Sequence, residues 1–224
     1  MRVHLQRDIE KLKRRLLALS MEAEEAVRQS IRAVSSRDAE LARQVVAREA
    51  QTDALEVDVE EDCLKILALH QPVAGDLRYI VAALKIDRDL ERIADLAAHI
   101  AERGLELLQL PPLDIPFRLD EMGAKVEAML KKALDAFTSL NAAAAHEVCS
   151  MDGEINGIKK ETFRQVRLAA MEVPWKFDSL MQVMHIARHL ERIADHATNI
   201  AEDLIYLVEG RIVRHAAAGS PDRP

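Results

Sequence analysis

Apolar side chains recur at steps of three and four over most of the chain, a spacing that places them on one face of an α-helix. The first such stripe runs without interruption from Leu5 to Val34. Five further stripes follow, separated by short stretches of turn and capping residues. The pattern predicts an all-α protein of six helices of about 30 residues each. The fifth should be the shortest, because Gly153 and Gly157 weaken it.

Two segments near the ends of the third and sixth predicted helices are almost the same. Residues 87–102 read DRDLERIADLAAHIAE and residues 187–202 read ARHLERIADHATNIAE, so eleven of sixteen positions are identical at an offset of 100. A cluster of prolines at 110–116 lies between the two halves and predicts a linker. We therefore expect two tandem three-helix bundles related by internal duplication, over residues 1–110 and 115–215, with a disordered tail at 216–224.

Composition and charge exclude several classes of fold and function. Aromatic residues make up only 3% of the chain, and there are 7 glycines and 7 prolines, which disfavours a β-sandwich or barrel. The net charge of −7 argues against a general nucleic-acid binder. There is no signal peptide and no run of about 18 apolar residues, so we expect a cytoplasmic protein that meets a membrane only through its partners. We expect the two cysteines, Cys63 and Cys149, to be reduced thiols.

Acidic side chains form rows beside the apolar stripes. In the third predicted helix, Glu91, Asp95 and Glu102 share one face, and His99 adds a nitrogen. The copy supplies Glu191, Asp195, Asn199 and Glu202, and the second helix carries Glu49, Asp53, Glu56 and Glu60. Rows on two helices of one bundle could face each other, and oxygen-rich sites suit hard cations as well as iron or manganese.

An ordinary solvated surface explains the same rows. Arg88 and Arg92 precede Glu91 and Asp95 by three residues, and Arg188 and Arg192 do so in the copy, so the acids could be salt-bridged. Spacing alone leaves both interpretations open. The Glu-x-x-His signature of di-iron bundles, HExxH, GxSxG, the P-loop and GxGxxG are all absent, so no known catalytic constellation is present.

The sequence resembles that of the PhoU family, the phosphate-signalling accessory proteins of bacteria and archaea. The matching segments cover nearly the whole chain: LARQVV at 41–46, EAQTD at 49–53, QPVAGDLR at 71–78, IVAALKI at 80–86, LERIAD at 90–95 and 190–195, HATNIAE at 196–202 and IYLVEG at 205–210. The doubled motif at this separation is highly specific.

The resemblance implies a pair of three-helix bundles with pseudo-twofold symmetry and a metal-binding E(D)xxxD motif on the second and third helix of each bundle. Iron, zinc or another divalent cation is implied as the cofactor. The motif maps onto the following residues of this chain: Glu49, Asp53, Glu91, Asp95, Asp152, Asn156, Glu191 and Asp195. Asn156 departs from the pattern, because its amide offers an oxygen but no charge, and we expect weaker metal binding in the second bundle.

The resemblance also implies a function, which is regulatory and not enzymatic. Such a protein is an adaptor between the ATPase subunit of the phosphate ABC transporter and a sensor histidine kinase. The adaptor restrains phosphate uptake and the phosphate-starvation regulon, and it often forms a homodimer. An alternative of a different class is a hydrolase or oxidase that uses a carboxylate-bound metal cluster.

Overall fold

The computed structural model describes residues 2–113 and 117–211, and in those ranges it contains six long α-helices and no strand. They are α1 (Arg2–Ser36), α2 (Ala39–His70), α3 (Ala74–Gln109), α4 (Leu119–Ser139), α5 (Ala142–Glu172) and α6 (Phe177–Glu209), with a short 3₁₀ turn at Pro174–Lys176 before α6. The all-α prediction is confirmed. No described helix is long and apolar enough to cross a membrane.

The expected order of helix lengths is wrong. The shortest helix is α4 with 21 residues, whereas α5 extends over 31 residues despite its two interior glycines. Each glycine costs a helix about 1 kcal/mol relative to alanine. Ile155, between these glycines, and Ile158, directly after the second, are both buried. Burial of an Ile side chain is worth about 1.5–3 kcal/mol, so packing outweighs the low propensity of this segment.

Side-chain caps begin two of the helices, α2 and α5. The Asp38 side chain accepts hydrogen bonds from the backbone N–H groups of Glu40 and Leu41, both at 3.0 Å, and so begins α2. The Asn141 side chain accepts one from the N–H of Ala144 at 3.1 Å and begins α5. Such caps satisfy amides that lack an intrahelical acceptor. They explain why short polar segments suffice to separate long helices.

The helices form two tandem three-helix bundles, α1–α3 and α4–α6, as the duplication predicts. The two bundles also pack on each other through α3 and α6. Side-chain pairs across this contact run in opposite directions along the two helices: Lys85 with Asp203 at 3.1 Å and Asp89 with His196 at 2.8 Å. α3 and α6 are therefore antiparallel. One hydrophobic core containing Leu90, Ile93, Leu190 and Ile193 continues through both bundles.

The bundle boundaries can be compared with the expected ones only in part. The first bundle ends with α3 at Gln109, and the second begins with α4 at Leu119. Residues 114–116 and the predicted tail at 216–224 lie outside the described ranges. The limits at 110, 115 and 215 therefore stay predictions.

Two glycines predict opposite effects of adding a methyl group. A Cβ at Gly123 would lie 2.8 Å from Cγ2 of Ile31, a stiff β-branched side chain of the other bundle, whereas a Cβ at Gly153 would meet nothing within 4 Å. We expect Gly123→Ala to lower the free energy of unfolding by about 1–3 kcal/mol through overpacking. Gly153→Ala should raise it by about 0.5–1 kcal/mol through helix propensity. Urea unfolding of both variants measures this, and equal effects of the two changes would contradict it.

Candidate metal centre

The acid rows of α2 and α3 face each other, as the sequence allowed. They line an open cleft of about 720 Å³, which we call the first cleft. Its lining contains seven carboxylates and two guanidinium groups: Glu49, Asp53, Glu56, Glu60, Asp87, Glu91 and Asp95, with Arg88 and Arg92. The α2–α3 turn makes the two helices antiparallel, so Glu49 lies at the Asp95 end of the cleft and Glu60 at the Asp87 end. The four motif residues of the first bundle are thus brought together.

Arg92 already pairs with two of these motif acids. Its Nη1 lies 3.0 Å from Oδ2 of Asp95, and its Nε lies 3.3 Å from Oε2 of Glu91. The salt-bridge interpretation therefore holds for part of the row. A cation that takes both carboxylates must displace the guanidinium, which is half exposed and free to turn into solvent.

Burial, together with the negative charge of the first cleft, raises the pKa values of its more buried acids. Burial, the charge of Asp95 and a hydrogen bond to Asp95 raise the pKa of Glu91 to about 7, despite the opposing effect of Arg92. Burial, followed by repulsion from Asp95 and Asp53, also raises the pKa of Glu49. The largest shift belongs to Asp87, whose pKa rises to about 8 through burial and repulsion from Glu56, Glu60 and Glu91. These groups gain most from a bound cation.

The second bundle has a different arrangement at its motif residues. Asn156 donates a hydrogen bond from Nδ2 to Oδ2 of Asp152 at 2.7 Å, and Oδ1 of Asp152 is buried with no hydrogen-bond partner among the described residues. The ammonium group of Lys159 forms an ion pair with Glu191. Both side chains are largely buried, with exposures of 22% and 15%. Burial and the neighbouring Glu191 raise the pKa of Asp195 to about 6. The ammonium group of Lys159 therefore already provides a positive charge next to the acidic side chains of the second bundle.

His99 lies at the contact between the bundles. Its ring stacks on that of His189 of α6, with the two centroids 5.4 Å apart. Burial lowers the pKa of His189 to about 4, and the charges of His99, His185, Arg192 and Arg103 act in the same direction. His99 therefore stacks on a second imidazole and also lies close enough to the acid row for its charge to oppose the rise in the pKa of Glu49.

The donor chemistry fits a metal ion better in the first bundle than in the second. Four carboxylates from two facing helices suit a hard cation. Among the described residues, however, no three His, Cys, Asp or Glu side chains already stand in a coordinating arrangement. The carboxylates of the first cleft must converge by rotation, which its open shape permits. In the second bundle Lys159 must also leave Glu191.

Two residues that shape these sites were not singled out from the sequence. Asp87 precedes Glu91 by four residues and so extends its row by one turn, a signal that the spacing contained. Lys159 follows Asn156 by three residues and shares its helix face. Their burial and their partners were not visible in the sequence, because charged residues at such spacings are normally solvated.

Comparison with known proteins covers nearly the whole chain. The model of the PhoU domain matches it twice, at residues 16–104 and 119–204. A protein of Caulobacter vibrioides named phosphate-specific transport system accessory protein PhoU homolog is 38% identical over 84% of this chain and 82% of that protein. A protein of the same name from Pseudomonas aeruginosa is 35% identical over 93% of this chain and 86% of its own length.

Solved structures agree with the fold. The crystal structure of PhoU from Pseudomonas aeruginosa superposes with a TM-score of 0.89 at 35% identity, covering 92% of this chain and 99% of that one. The phosphate transport system regulatory protein PhoU from Streptococcus pneumoniae gives a TM-score of 0.85 at 28% identity, over 93% and 99%. The two domain matches, the relatives and these superpositions together show that this chain belongs to the PhoU family.

Proposed function

We propose that this protein is a regulatory adaptor of phosphate homeostasis. In this role it binds the ATPase subunit of the phosphate ABC transporter and a sensor histidine kinase, restrains phosphate uptake and keeps the phosphate-starvation regulon off when phosphate is plentiful. The observation that carries the proposal is the doubled PhoU domain, shared with relatives named as accessory proteins of phosphate transport. The proposal includes a location in the cytoplasm and assembly as a homodimer.

The form of the molecule supports an adaptor over an enzyme. Helices of about 30 residues give long charged surfaces on rigid elements, which suit contacts with other proteins. The first cleft is open and lined mainly by carboxylates, without a nucleophile–base pair among its residues. Its chemistry is that of cation binding through Glu49, Asp53, Glu91 and Asp95. A bound cation would supply positive charge that joins α2 to α3.

Association with the transporter tests the adaptor directly. The full chain should retain the transporter's ATPase subunit in a pull-down, and deletion of its gene should switch on the starvation regulon in phosphate-rich medium. The alternative of a metal-dependent hydrolase or oxidase predicts turnover of phosphoesters or reduced substrates with added Mn²⁺ or Fe²⁺. If the protein turns over such substrates and does not bind the ATPase subunit, the enzyme hypothesis replaces the adaptor hypothesis.

Metal occupancy should differ between the two bundles. The first has four motif carboxylates, whereas the second has Asn156 in place of one acid and Lys159 on Glu191. Because affinity for a hard cation follows ligand charge, competitive chelation should strip the second bundle first. Elemental analysis of protein purified without a metal-affinity tag measures this.

A variant in each bundle assigns the metal. Asp95→Asn should remove metal from the first bundle with little effect on folding, because Asp95 lies beside the apolar core and not in it. Asp195→Asn is the matched change in the second bundle. If the second bundle holds its metal at least as tightly as the first, geometry outweighs charge in this protein.

A further inference from the structure

The contact between α3 and α6 contains three histidines that the proposed adaptor function leaves without a role. His99 of α3 stacks on His189 of α6, and the two ring centroids are 5.4 Å apart. His185 precedes His189 by four residues, so the two side chains leave α6 on the same side, one helical turn apart. The charges of His99 and His185 both act on the pKa of His189, so the three imidazoles are neighbours. We call them the histidine cluster.

The internal duplication supplies a comparison in the other half of the same contact. At the offset of 100, Asp89 corresponds to His189 and Asn199 corresponds to His99. Nδ2 of Asn199 donates a hydrogen bond to Oδ1 of Asp89 at 3.3 Å, and Nδ1 of His196 lies 2.8 Å from the same oxygen. The polar side chains of that half therefore satisfy one another.

His189 lacks such a partner. Its Nδ1 is buried and has no hydrogen-bond partner among the described residues. An unpaired buried polar atom is unfavourable. Burial and nearby positive charges lower the pKa of His189 to about 4, so the ring is neutral at neutral pH and one of its nitrogens keeps a lone pair. A neutral imidazole is the form that binds a metal ion.

The separation of the stacked rings of His99 and His189 suits a shared metal ion. A zinc–nitrogen bond is about 2.0–2.1 Å long, so two imidazoles on one tetrahedral zinc have centroids about 5 Å apart. Two histidines four residues apart on one helix face are a recurrent part of zinc sites. Among the described residues, no three side chains of the ligand types already converge. His99 and His185 are both exposed, so their rings can turn toward an ion without disturbing the core.

The charges around the histidine cluster permit a cation. The guanidinium of Arg103, one of two arginines near the cluster, is held by Glu106 of its own helix at 2.8 Å. The other, Arg192, is exposed, so its guanidinium can move away into solvent. On the side of α2, the charge of His99 lowers the pKa of Glu49, so a carboxylate stands close to the cluster. Negative charge is therefore available to offset that of an ion.

We propose that His99, His185 and His189 bind one divalent ion of the zinc class between the two bundles. Three imidazole nitrogens select zinc or a late transition metal over Mg²⁺ or Ca²⁺, which prefer oxygen. The fourth position of the tetrahedral ion is left to water. The site differs from the acid rows in its donors and in its place in the fold, and it does not depend on metal binding by the motif residues. A bound ion joins α3 to α6 and so fastens one bundle to the other.

The number and the ligands of bound Zn²⁺ ions test the proposal. The full chain, purified without a metal-affinity tag and stripped by chelation, is dialysed against Zn²⁺ alone, and its metal content is counted by elemental analysis. His99→Gln and His189→Gln should each bind one Zn²⁺ fewer than the wild type. Because His99 is exposed, its replacement leaves the core intact even if that of His189 impairs folding. X-ray absorption at the zinc edge should show imidazole scattering in the wild type, and both variants should reduce it.

His146→Gln is the matched control. His146 is an exposed histidine of α5, where its Nε2 lies 3.2 Å from Oε1 of Glu209. The control should bind the wild-type number of ions, and Zn²⁺ should raise its Tm as much as that of the wild type. The rise in Tm should be smaller for His99→Gln, because one ion that binds only the folded state is lost.

The outcomes separate the histidine site from metal binding by the acid rows. If both cluster variants lose the same single ion and Asp95→Asn retains it, the histidine site is confirmed. If their zinc content equals that of the wild type, or if the zinc edge shows only oxygen ligands, the acids alone bind zinc and the histidine site is refuted. Loss of an ion by His189→Gln but not by His99→Gln refutes a shared site, and so does a wild type that binds no Zn²⁺. The adaptor function is measured separately, by the pull-down of the ATPase subunit.

Discussion

Replacement of Lys159 by methionine is expected to destabilise the metal-free protein by about 1–3 kcal/mol and to make the second bundle responsive to divalent cations. Methionine keeps the apolar stem of the side chain, so the change removes mainly the charge. Glu191 then loses its cation and stands beside Asp195, in a setting that already raises the pKa of Asp195 to about 6. Two carboxylates without a positive charge between them repel each other.

Thermal unfolding with and without Mn²⁺ measures both effects. A loss of 1 kcal/mol corresponds to about 2–4 °C in Tm for a chain of this size. Mn²⁺ should restore much of the lost stability, because it takes the place of the ammonium group. Lys125→Met is the matched control: Lys125 pairs with the well-exposed Glu154 at 2.8 Å, and such surface pairs are worth about 0–1 kcal/mol. Equal Tm values for the two variants, with no response to Mn²⁺, would show that Lys159 is only a surface cation.

Acidification is expected to weaken the contact between the bundles through His189. The pKa of this residue is about 4 in the folded protein and 6.5 in the unfolded chain. The unfolded state therefore takes up a proton first as the pH falls. The stability that neutral His189 contributes is complete above pH 6.5 and is lost progressively as the pH falls toward 4. The largest charge effects at the ring all oppose its protonation and come from His99 and Arg103 of α3 and from His185 and Arg192 of α6.

The loss should amount to about 1–3 kcal/mol, reduced from the full shift because the ring is partly exposed. Urea unfolding at a series of pH values between 6.5 and 4 measures it. His189→Gln stays neutral at every pH and should flatten the dependence in this interval. His4→Gln changes an exposed histidine in the first turn of α1 and should leave the pH dependence unchanged. A wild-type slope that His189→Gln does not alter would assign the acid sensitivity to other groups.

The spacing of residues along the chain was sufficient to predict the helices, the duplication and the position of the acid rows. Steps of three and four between apolar residues specify which side of each helix is buried, and Leu90, Ile93, Leu190 and Ile193 all lie in the core as their spacing predicts. The same arithmetic placed Glu91 and Asp95 on one face and Glu49 and Asp53 on another. That these faces meet across a cleft followed once α2 and α3 were neighbours in a short-looped bundle.

What each charged side chain faces depends on how the helices pack, which residue spacing does not specify. Periodicity identifies a buried face but not the helix that covers it, so the packing of α3 on α6 and the stacking of His99 on His189 were not predictable from spacing. For the same reason, the sequence could not distinguish Arg92, which pairs with acids of its own helix, from Lys159, which reaches an acid of another helix. Asp87 shows the difference most plainly. The position of Asp87 in the sequence extends an acidic row, but its burial arises from the packing of α2 against α3. The spacing of residues within one helix does not encode such long-range packing.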